Sequence, residues 1–417
     1  MSFSYQTIRT KVMAVAEKNV PLRRFMRFCM RHLQSLRYHL RTGRIPVNEK
    51  KIVFNSFNGR SYSCTPKAVY EYMLSCKEYK DYQFVWVVRD LKEYRFLTHN
   101  PRTTIVKNKS RAYERALASA KYWIFNYKIY DYLSPRKEQI YVQCWHGTPL
   151  KKLGYDIKAS DNAMNSIPEI RYKYRSDAKK FRYLLSPSPF ATEKFLSAWN
   201  LRKTKQEDKI LELGYPRDDA LLNDTPDDVQ RIRESIGIPS DKKVLLYMPT
   251  FRDDQHTAEE GYTYSIPLDF DELQAELSDE WIILFRAHYL VASSYDFAAY
   301  DGFLRDMSDY DDINDLYLAA DVLVTDYSSG LFDYANLRRP MIFYMYDLSL
   351  YQNDVRGFYV NLEELPGPIV KTQEELLEKV KDMDQWFSYD EKYQKFNEKY
   401  NALNDGKASQ RLASRVF

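Results

Sequence analysis

From about residue 50 onward, short apolar runs alternate with amphipathic stretches. The runs KIVFNSF (51–57), QFVWVV (83–88), TTIVK (103–107), KYWIFN (121–126) and QIYVQCW (139–145) are rich in Val, Ile and aromatic residues and predict strands. Between them, PKAVYEYMLS (66–75) and SRAYERALASA (110–120) predict helices. A basic, irregular stretch follows at 170–183, either an acceptor- or membrane-facing surface or a solvated helix face. KILELGYPRDDALL (209–222) predicts a strand and loop, and TPDDVQRIRESIGIPSD (225–241) a helix and a turn. The alternation then resumes. KVLLYMPTF (243–251), WIILFRAH (281–288), DVLVTDYSS (321–329) and PMIFYMYD (340–347) predict strands, with helices at 313–320 and 330–339. Such alternation predicts mostly parallel sheets covered by helices on both faces. Two blocks of it in 417 residues predict two doubly wound, Rossmann-like α/β domains facing across a cleft. The expected divisions are 1–45, 46–222, 223–395 and a helical tail at 396–417.

The leading segment has its own pattern. In PLRRFMRFCMRHLQSLRYHLRTGR (21–44), Leu22, Phe25, Met26, Cys29, Leu33, Leu36 and Leu40 fall on one stripe of a helix. Arg23, Arg24, Arg27, Arg31, Arg37 and Arg41 fall on the other side. Pro21 suits the first turn and Gly43 the end. Residues 1–45 hold ten Lys and Arg against the single acid Glu17, so a net charge of +4 conceals a mildly acidic body behind a basic leader. An apolar stripe opposite an arginine-rich face suits a helix lying in an anionic membrane surface. The bland alternative is a helix packed on its own domain with solvated arginines. No module that reads DNA or RNA is present, so no nucleic-acid partner is expected.

Other classes are excluded by what the chain lacks. Cys29, Cys64, Cys76 and Cys144 are widely spaced, which suggests neither a zinc site nor a disulfide framework. No apolar run reaches the length of a membrane span, and the leader's arginines interrupt any signal-peptide core. There is no P-loop and no GxGxxG motif. DFDE (269–272) reads as a charged helix start rather than a metal motif, so no metal and no cofactor is expected.

The chemistry gathers where strands end. One exit is WHGT, with His146, Gly147 and Thr148, followed by Lys151 and Lys152. The others are MPTFRDD with Thr250, Arg252 and Asp253, FRAH with Arg286 and His288, and TDYSSG with Thr325, Asp326, Ser328 and Ser329. A strand running into small hydroxyl residues and then a helix offers free N–H groups and a positive dipole end, which suits phosphate. The same residues also make a plain N-cap. Arg252 suits a phosphate clamp or a salt bridge to a neighbouring Asp, and His288 suits a phosphate donor or a packed histidine. Four such exits together point to an anionic ligand such as a nucleotide diphosphate.

CWHGTPLKKLG, YMPTFRDD, RAH and INDLYLAADVLVTDYSSGLFDYANLRRPMIFY together resemble the CDP-glycerol glycerophosphotransferase family, the teichoic acid primases and polymerases, over about residues 50–365. The resemblance implies a GT-B fold without a metal requirement, associated peripherally with the inner leaflet, in a short single-module form. His146 matches the family's HGT histidine, and Thr325–Ser329 match its TDYSS motif. Arg286 and His288 match an RPHP pattern that here reads RAHY, without the prolines. Asp333, one turn beyond the serines, becomes a candidate acceptor for ribose hydroxyls.

The expected reaction is transfer of glycerol phosphate from CDP-glycerol to a hydroxyl of a lipid-linked saccharide or poly(glycerol phosphate) acceptor, with release of CMP. The expected place is the cytoplasmic face of the cell membrane. His146 and His288 are the expected catalytic residues, His146 as the base and His288 facing the donor phosphates, with Thr250, Arg252, Arg286, Thr325, Asp326, Ser328, Ser329 and Asp333 expected to bind CDP-glycerol. Gly147, Thr148, Lys151 and Lys152 are acceptor-side candidates, though a solvated loop explains the lysines equally well. Open alternatives are a ribitol phosphate transferase of the same family, a GT-B glycosyltransferase using a nucleotide sugar, and a non-catalytic nucleotide- or polyanion-binding protein at the membrane.

Overall fold

A computed structural model describes residues 19–158, 166–250, 256–257, 261–262, 266–287, 297–348 and 357–417. The first sheet contains β1 (Asn48–Asn55), β2 (Gln83–Val88), β3 (Thr103–Lys107), β4 (Ala120–Phe125), β5 (Ile140–Gln143), β6 (Tyr183–Ser186) and β7 (Ile210–Glu212). All neighbours are parallel and the order is β3-β2-β1-β4-β5-β6-β7. The second contains β8 (Lys243–Met248), β9 (Trp281–Phe285), β10 (Leu304–Asp306), β11 (Val322–Thr325), β12 (Met341–Tyr344) and β13 (Ile369–Val370). It too is all parallel, in the order β10-β9-β8-β11-β12-β13. The order in which successive strands are added reverses between β1 and β4 in one sheet and between β8 and β11 in the other. These are the positions where an open α/β sheet leaves a crevice for ligands.

The elements follow from the sequence. In β1 the leading residues through Lys50 are exposed, while Ile52 to Asn55 are buried, as expected of a strand covered on both faces. Among the helices, α1 spans Val20–Thr42, α2 Cys64–Ser75, α3 Arg111–Ser119, α4 Ile167–Ala178 and α5 Pro189–Ala198. Ser110 and Ser188 accept from backbone N–H groups in the first turns of α3 and α5. In the second half, α6 spans Pro226–Ser235, α7 Phe270–Leu277, α8 Ile313–Ala319 and α9 Gly330–Tyr334. The closing helices are α10 (Gln373–Lys381), α11 (Glu391–Tyr400) and α12 (Ala408–Val416). The basic stretch at 170–183 resolves into most of α4 and the first residue of β6.

The chain's end returns to the first sheet. Leu412, Ala413 and Val416 of α12 are buried in one cluster with Ile52, Phe54, Phe84 and Trp86. Burying a side chain such as Leu412 contributes about 1.5–3 kcal/mol, so the last helix is part of that half's core. By contrast, α11 packs on the second half, with Phe396 stacked on Phe332.

The basic helix is placed the other way round from the packed alternative, while its apolar stripe stays exposed. Arg23, Arg27, Arg31 and Arg41 reach groups of the body, whereas Arg24 and Arg37 are exposed. Arg23 is 4% exposed and pairs with Glu169 at 3.1 Å. Arg27 pairs with the same carboxylate at 2.6 Å, and Arg41 with Glu114 at 3.2 Å. Arg31 lies over the Tyr172 ring, and Tyr38 is buried beside them. The apolar stripe points away, with Phe25, Leu33, Leu36 and Leu40 exposed, the last at 77%. Carboxylates of the body, from buried to about one-third exposed, thus pair with these four arginines, although only Arg23 is itself buried.

Candidate active site

At the first crevice, Asn126 follows β4 and binds across to the exit of β1. Its side-chain oxygen accepts from the Phe57 N–H at 2.8 Å, and its amide donates to the Ser56 hydroxyl at 3.2 Å. Its backbone carbonyl lies 2.9 Å from Nδ1 of His146. A carbonyl only accepts, so Nδ1 carries the proton, and a neutral ring then presents Nε2 as an acceptor. Burial pushes the imidazole down from 6.5 to about 4, against the opposing pull of the Asn126 bond, with Arg217 and Arg60 adding to the lowering. The ring is neutral at physiological pH.

The histidine is aimed by a strained residue. Trp145 has a φ of 55°, a left-handed conformation that bulky residues rarely adopt. Such strain costs on the order of 1–3 kcal/mol. Aromatic packing holds it, since the indole stands edge-on to Trp199 at 4.9 Å and also meets Phe195 and Tyr174. The turn sends the next side chain out of the sheet between Phe57, Tyr127 and Trp145.

At the second crevice, Asp326 follows β11 and binds across to the exit of β8. One carboxylate oxygen accepts from the Thr250 N–H at 2.9 Å, the Thr250 hydroxyl at 2.8 Å and the Tyr327 N–H at 2.6 Å. The Thr325 hydroxyl donates to the Met248 carbonyl at 2.7 Å. Beyond them Ser328 accepts from the Gly330 N–H, and Ser329 precedes α9 without capping it through its side chain.

The crevices meet at Gly147. A Cβ there would stand 2.7 Å from Ser329 Oγ, so only glycine lets the histidine loop approach the serine turn this closely. The same loop then crosses to the second half. Leu150 is buried in that half's core, Tyr359 N–H donates to its carbonyl at 2.8 Å, and Lys152 N–H donates to the Gly357 carbonyl at 3.0 Å. One continuous loop thus carries the histidine, the close contact with Ser329 and a seam between the halves.

The family model for CDP-glycerol:poly(glycerophosphate) glycerophosphotransferase matches residues 37–417. The chain belongs to that family. A teichoic acid glycerol-phosphate transferase from Staphylococcus aureus is 41% identical over 375 residues, covering 89% of this chain and 93% of the relative. A teichoic acid poly(glycerol phosphate) polymerase from Staphylococcus epidermidis is 37% identical over 410 residues, covering 96% of this chain. The chain spans about half the length of that polymerase and of its Bacillus subtilis counterpart, 54% and 49%. A solved structure of the wall teichoic acid polymerase TagF aligns with a TM-score of 0.80 at 36% identity, covering 100% of this chain and 98% of that one. UDP-GlcNAc 2-epimerase from Neisseria meningitidis, at 12% identity and a TM-score of 0.51, shares the fold alone, over 88% of this chain and 99% of its own.

The family's motif residues divide into two kinds in this chain. His146, Gly147, Thr250, Ser328 and Ser329 lie at the two crevices. Thr148 is buried behind them, and Lys151 and Lys152 lie half-buried on the seam with 357–358. Four expected donor-side residues have polar atoms engaged by the protein itself. Thr325 and Asp326 are buried and bind their own backbone neighbours, so they shape the loop that a ligand would meet. Asp333, expected on the ribose, is 4% exposed, and both its oxygens accept from Arg217. Arg286 likewise directs Nη1 to the Met307 and Tyr310 carbonyls at 2.9 and 2.7 Å, which fixes the loop after β10. Arg252, Asp253 and His288 lie outside the described residues.

Sequence reasoning missed Arg217. It stands in the quoted GYPRDD stretch, just after β7, and so belongs to a fifth polar strand exit. An arginine flanked by Pro216 and two aspartates passed as a loop residue because its partners other than the adjacent Asp218, 3.4 Å away, are more than sixty residues away in sequence.

Proposed function

We propose that the chain transfers glycerol phosphate from CDP-glycerol to a hydroxyl of a lipid-linked saccharide or a growing poly(glycerol phosphate) chain, releasing CMP. The observation carrying this reading is His146, with Nδ1 committed to the Asn126 carbonyl and its loop in contact with the serine turn of the other half. Nε2 takes the proton from the acceptor hydroxyl. The oxygen forms its bond to the glycerol-bearing phosphorus in line, and the bond from that phosphorus to the oxygen of CMP breaks. Ser328, Ser329 and the N–H groups beside them hold the cytidine-side phosphate. Thr250, Arg252 and His288 offset the charge that moves onto CMP. A neutral histidine suits this role, and the arriving diphosphate raises its pKa toward neutrality by adding negative charge nearby.

The acceptor lies at a membrane in this reading. None of the described helices is long and apolar enough to cross one. The outward face of α1, with Phe25, Leu33, Leu36 and Leu40 exposed, is proposed to lie in the cytoplasmic surface of the membrane. Lys151 and Lys152 on the seam are proposed to meet the acceptor's phosphates.

The test is CMP release from CDP-glycerol, with CDP-ribitol and a nucleotide sugar as competing donors, using a lipid-linked acceptor. Turnover with CDP-glycerol that disappears in His146→Ala supports the reading. Undiminished turnover in that variant removes the base, and preference for another donor removes the substrate. For the membrane, Leu33→Ser with Leu36→Ser and Leu40→Ser leaves the arginine contacts intact. Unchanged sedimentation of this variant with anionic liposomes would exclude α1 as the anchor.

A further inference from the structure

Arg217 is 6% exposed and sits in a short turn, Pro216–Asp218, outside both crevices. Its guanidinium reaches both. Nη1 donates to the backbone carbonyl of His146 at 2.8 Å, and lies 4.0 Å from the Cys64 sulfur at the start of α2. Nη2 donates to both carboxylate oxygens of Asp333 on α9, the helix that begins just after Ser329. The turn is gripped at two further points. The Tyr215 hydroxyl donates to the Gly147 carbonyl at 3.2 Å, and the Asn314 side chain on α8 donates to the Arg217 carbonyl. The carbonyls of His146 and Gly147 are therefore both held from residues 215–217. That turn is in turn fastened to the second half through Asp333 and Asn314.

The chemistry calls for arginine. A planar fork can serve a carbonyl and a carboxylate at once in fixed directions, whereas an ammonium on a flexible stem cannot. Asp218, buried 3.4 Å from the guanidinium, adds a second carboxyl group; burying such a cluster costs desolvation energy that its attraction need not recover, so it is weak evidence for stability alone. A conformational role accounts for it here, because each partner sits on one side of the crevice and the fork ends on the histidine's own backbone.

We propose that Arg217 and Asp333 are positioning residues that couple the seating of the second half to the alignment of His146. The proposal rests on His146 acting as the base. The molecule contains its own control. Lys67 of α2 pairs with Asp312 at 2.7 Å and joins the same two halves without touching the histidine loop.

The experiment measures kcat and KM for CDP-glycerol in Arg217→Lys, Asp333→Asn and Lys67→Met, with thermal melting, assayed well below the lowest Tm. Arg217→Lys and Asp333→Asn are expected to lower kcat by about tenfold or more with KM changed by less than about threefold, since small misplacements of a reacting group carry large rate costs. Their double variant is expected to be no slower than the worse single one, as for residues acting as a unit. Lys67→Met is expected to lose Tm while keeping kcat within about twofold. If Arg217→Lys does not fold, Asp333→Asn carries the test alone. Two results overturn the coupling: wild-type kcat in the folded positioning variants, or an equal loss of kcat in Lys67→Met. His146→Ala separates the failures. An inactive His146→Ala beside fully active positioning variants refutes the coupling and leaves the base standing. An active His146→Ala removes the base itself.

Discussion

The two crevices are built alike and finished differently. In each, a polar residue follows the strand on one side of the crevice and reaches across to the exit of the strand on the other side. In the first sheet this is Asn126, whose side chain spans to Phe57 and Ser56 while its backbone carbonyl holds a histidine from a third strand. In the second it is Asp326, whose carboxylate spans to Thr250 and its own neighbour Tyr327. The first arrangement ends in an imidazole with one nitrogen committed. The second ends in a shaped loop. Position at a crevice thus does not make a residue a ligand; what matters is whether its polar atoms are already spent on the protein.

This difference predicts separable kinetic effects. His146→Ala should give the largest, a loss of about a thousandfold in kcat with KM for CDP-glycerol little changed, because general-base catalysis contributes roughly 10²–10⁴. Asp326→Ala comes next. It removes the acceptor of three hydrogen bonds from Thr250 and Tyr327, each contributing about 0.5–1.5 kcal/mol, or more because the acceptor is charged, so Tm should fall and KM for CDP-glycerol rise more than kcat falls. Gly147→Ala drives a methyl group against Ser329 and should lower kcat by about tenfold by parting the crevices, read from steady-state rates. Thr325→Val should be mildest. It removes one bond to the Met248 carbonyl, costing about 1 kcal/mol in denaturant unfolding, with kcat unchanged. A large kcat loss there would restore Thr325 as a ligand and blur the comparison.

The histidine also sets a pH signature. Its folded pKa, about 4, lies below the 6.5 of an unburied ring. The unfolded chain therefore takes up the proton first as pH falls. The stability this group contributes is present above 6.5 and is lost as pH drops toward 4. The acid limb of kcat/KM, which reports the free enzyme, should lie well below 6.5. The acid limb of kcat should lie higher, because the bound diphosphate favours the charged ring.

Much of this was legible in the sequence, and the gaps have physical causes. The strands β2 and β3 were read to the residue because they are continuous apolar runs between polar stretches. The strands β6, β10 and β13 were missed because two to four residues carry no period. His146 stood out because a lone histidine at a strand exit is visible locally. The protein partners of Asp326 and Asp333 were not legible, because a carboxylate beside a serine turn looks the same whether it faces a ligand or a neighbouring strand. In α1, the partners of the arginines were missed for a related reason. Its arginine face looks made for phosphate, and only Glu169, Asp131 and Glu114, all more than seventy residues further along, reveal that the body itself supplies the anions.

The central claim is the state of one ring, and nitrogen-15 NMR of histidine-labelled protein measures it directly, with the His146 signals assigned by their loss in His146→Asn. The account predicts a proton on Nδ1, none on Nε2, and a ring that stays neutral on acidification to about pH 5, well below the ordinary histidine value. A proton on Nε2, or a positively charged ring at pH 7 in the free protein, would contradict it.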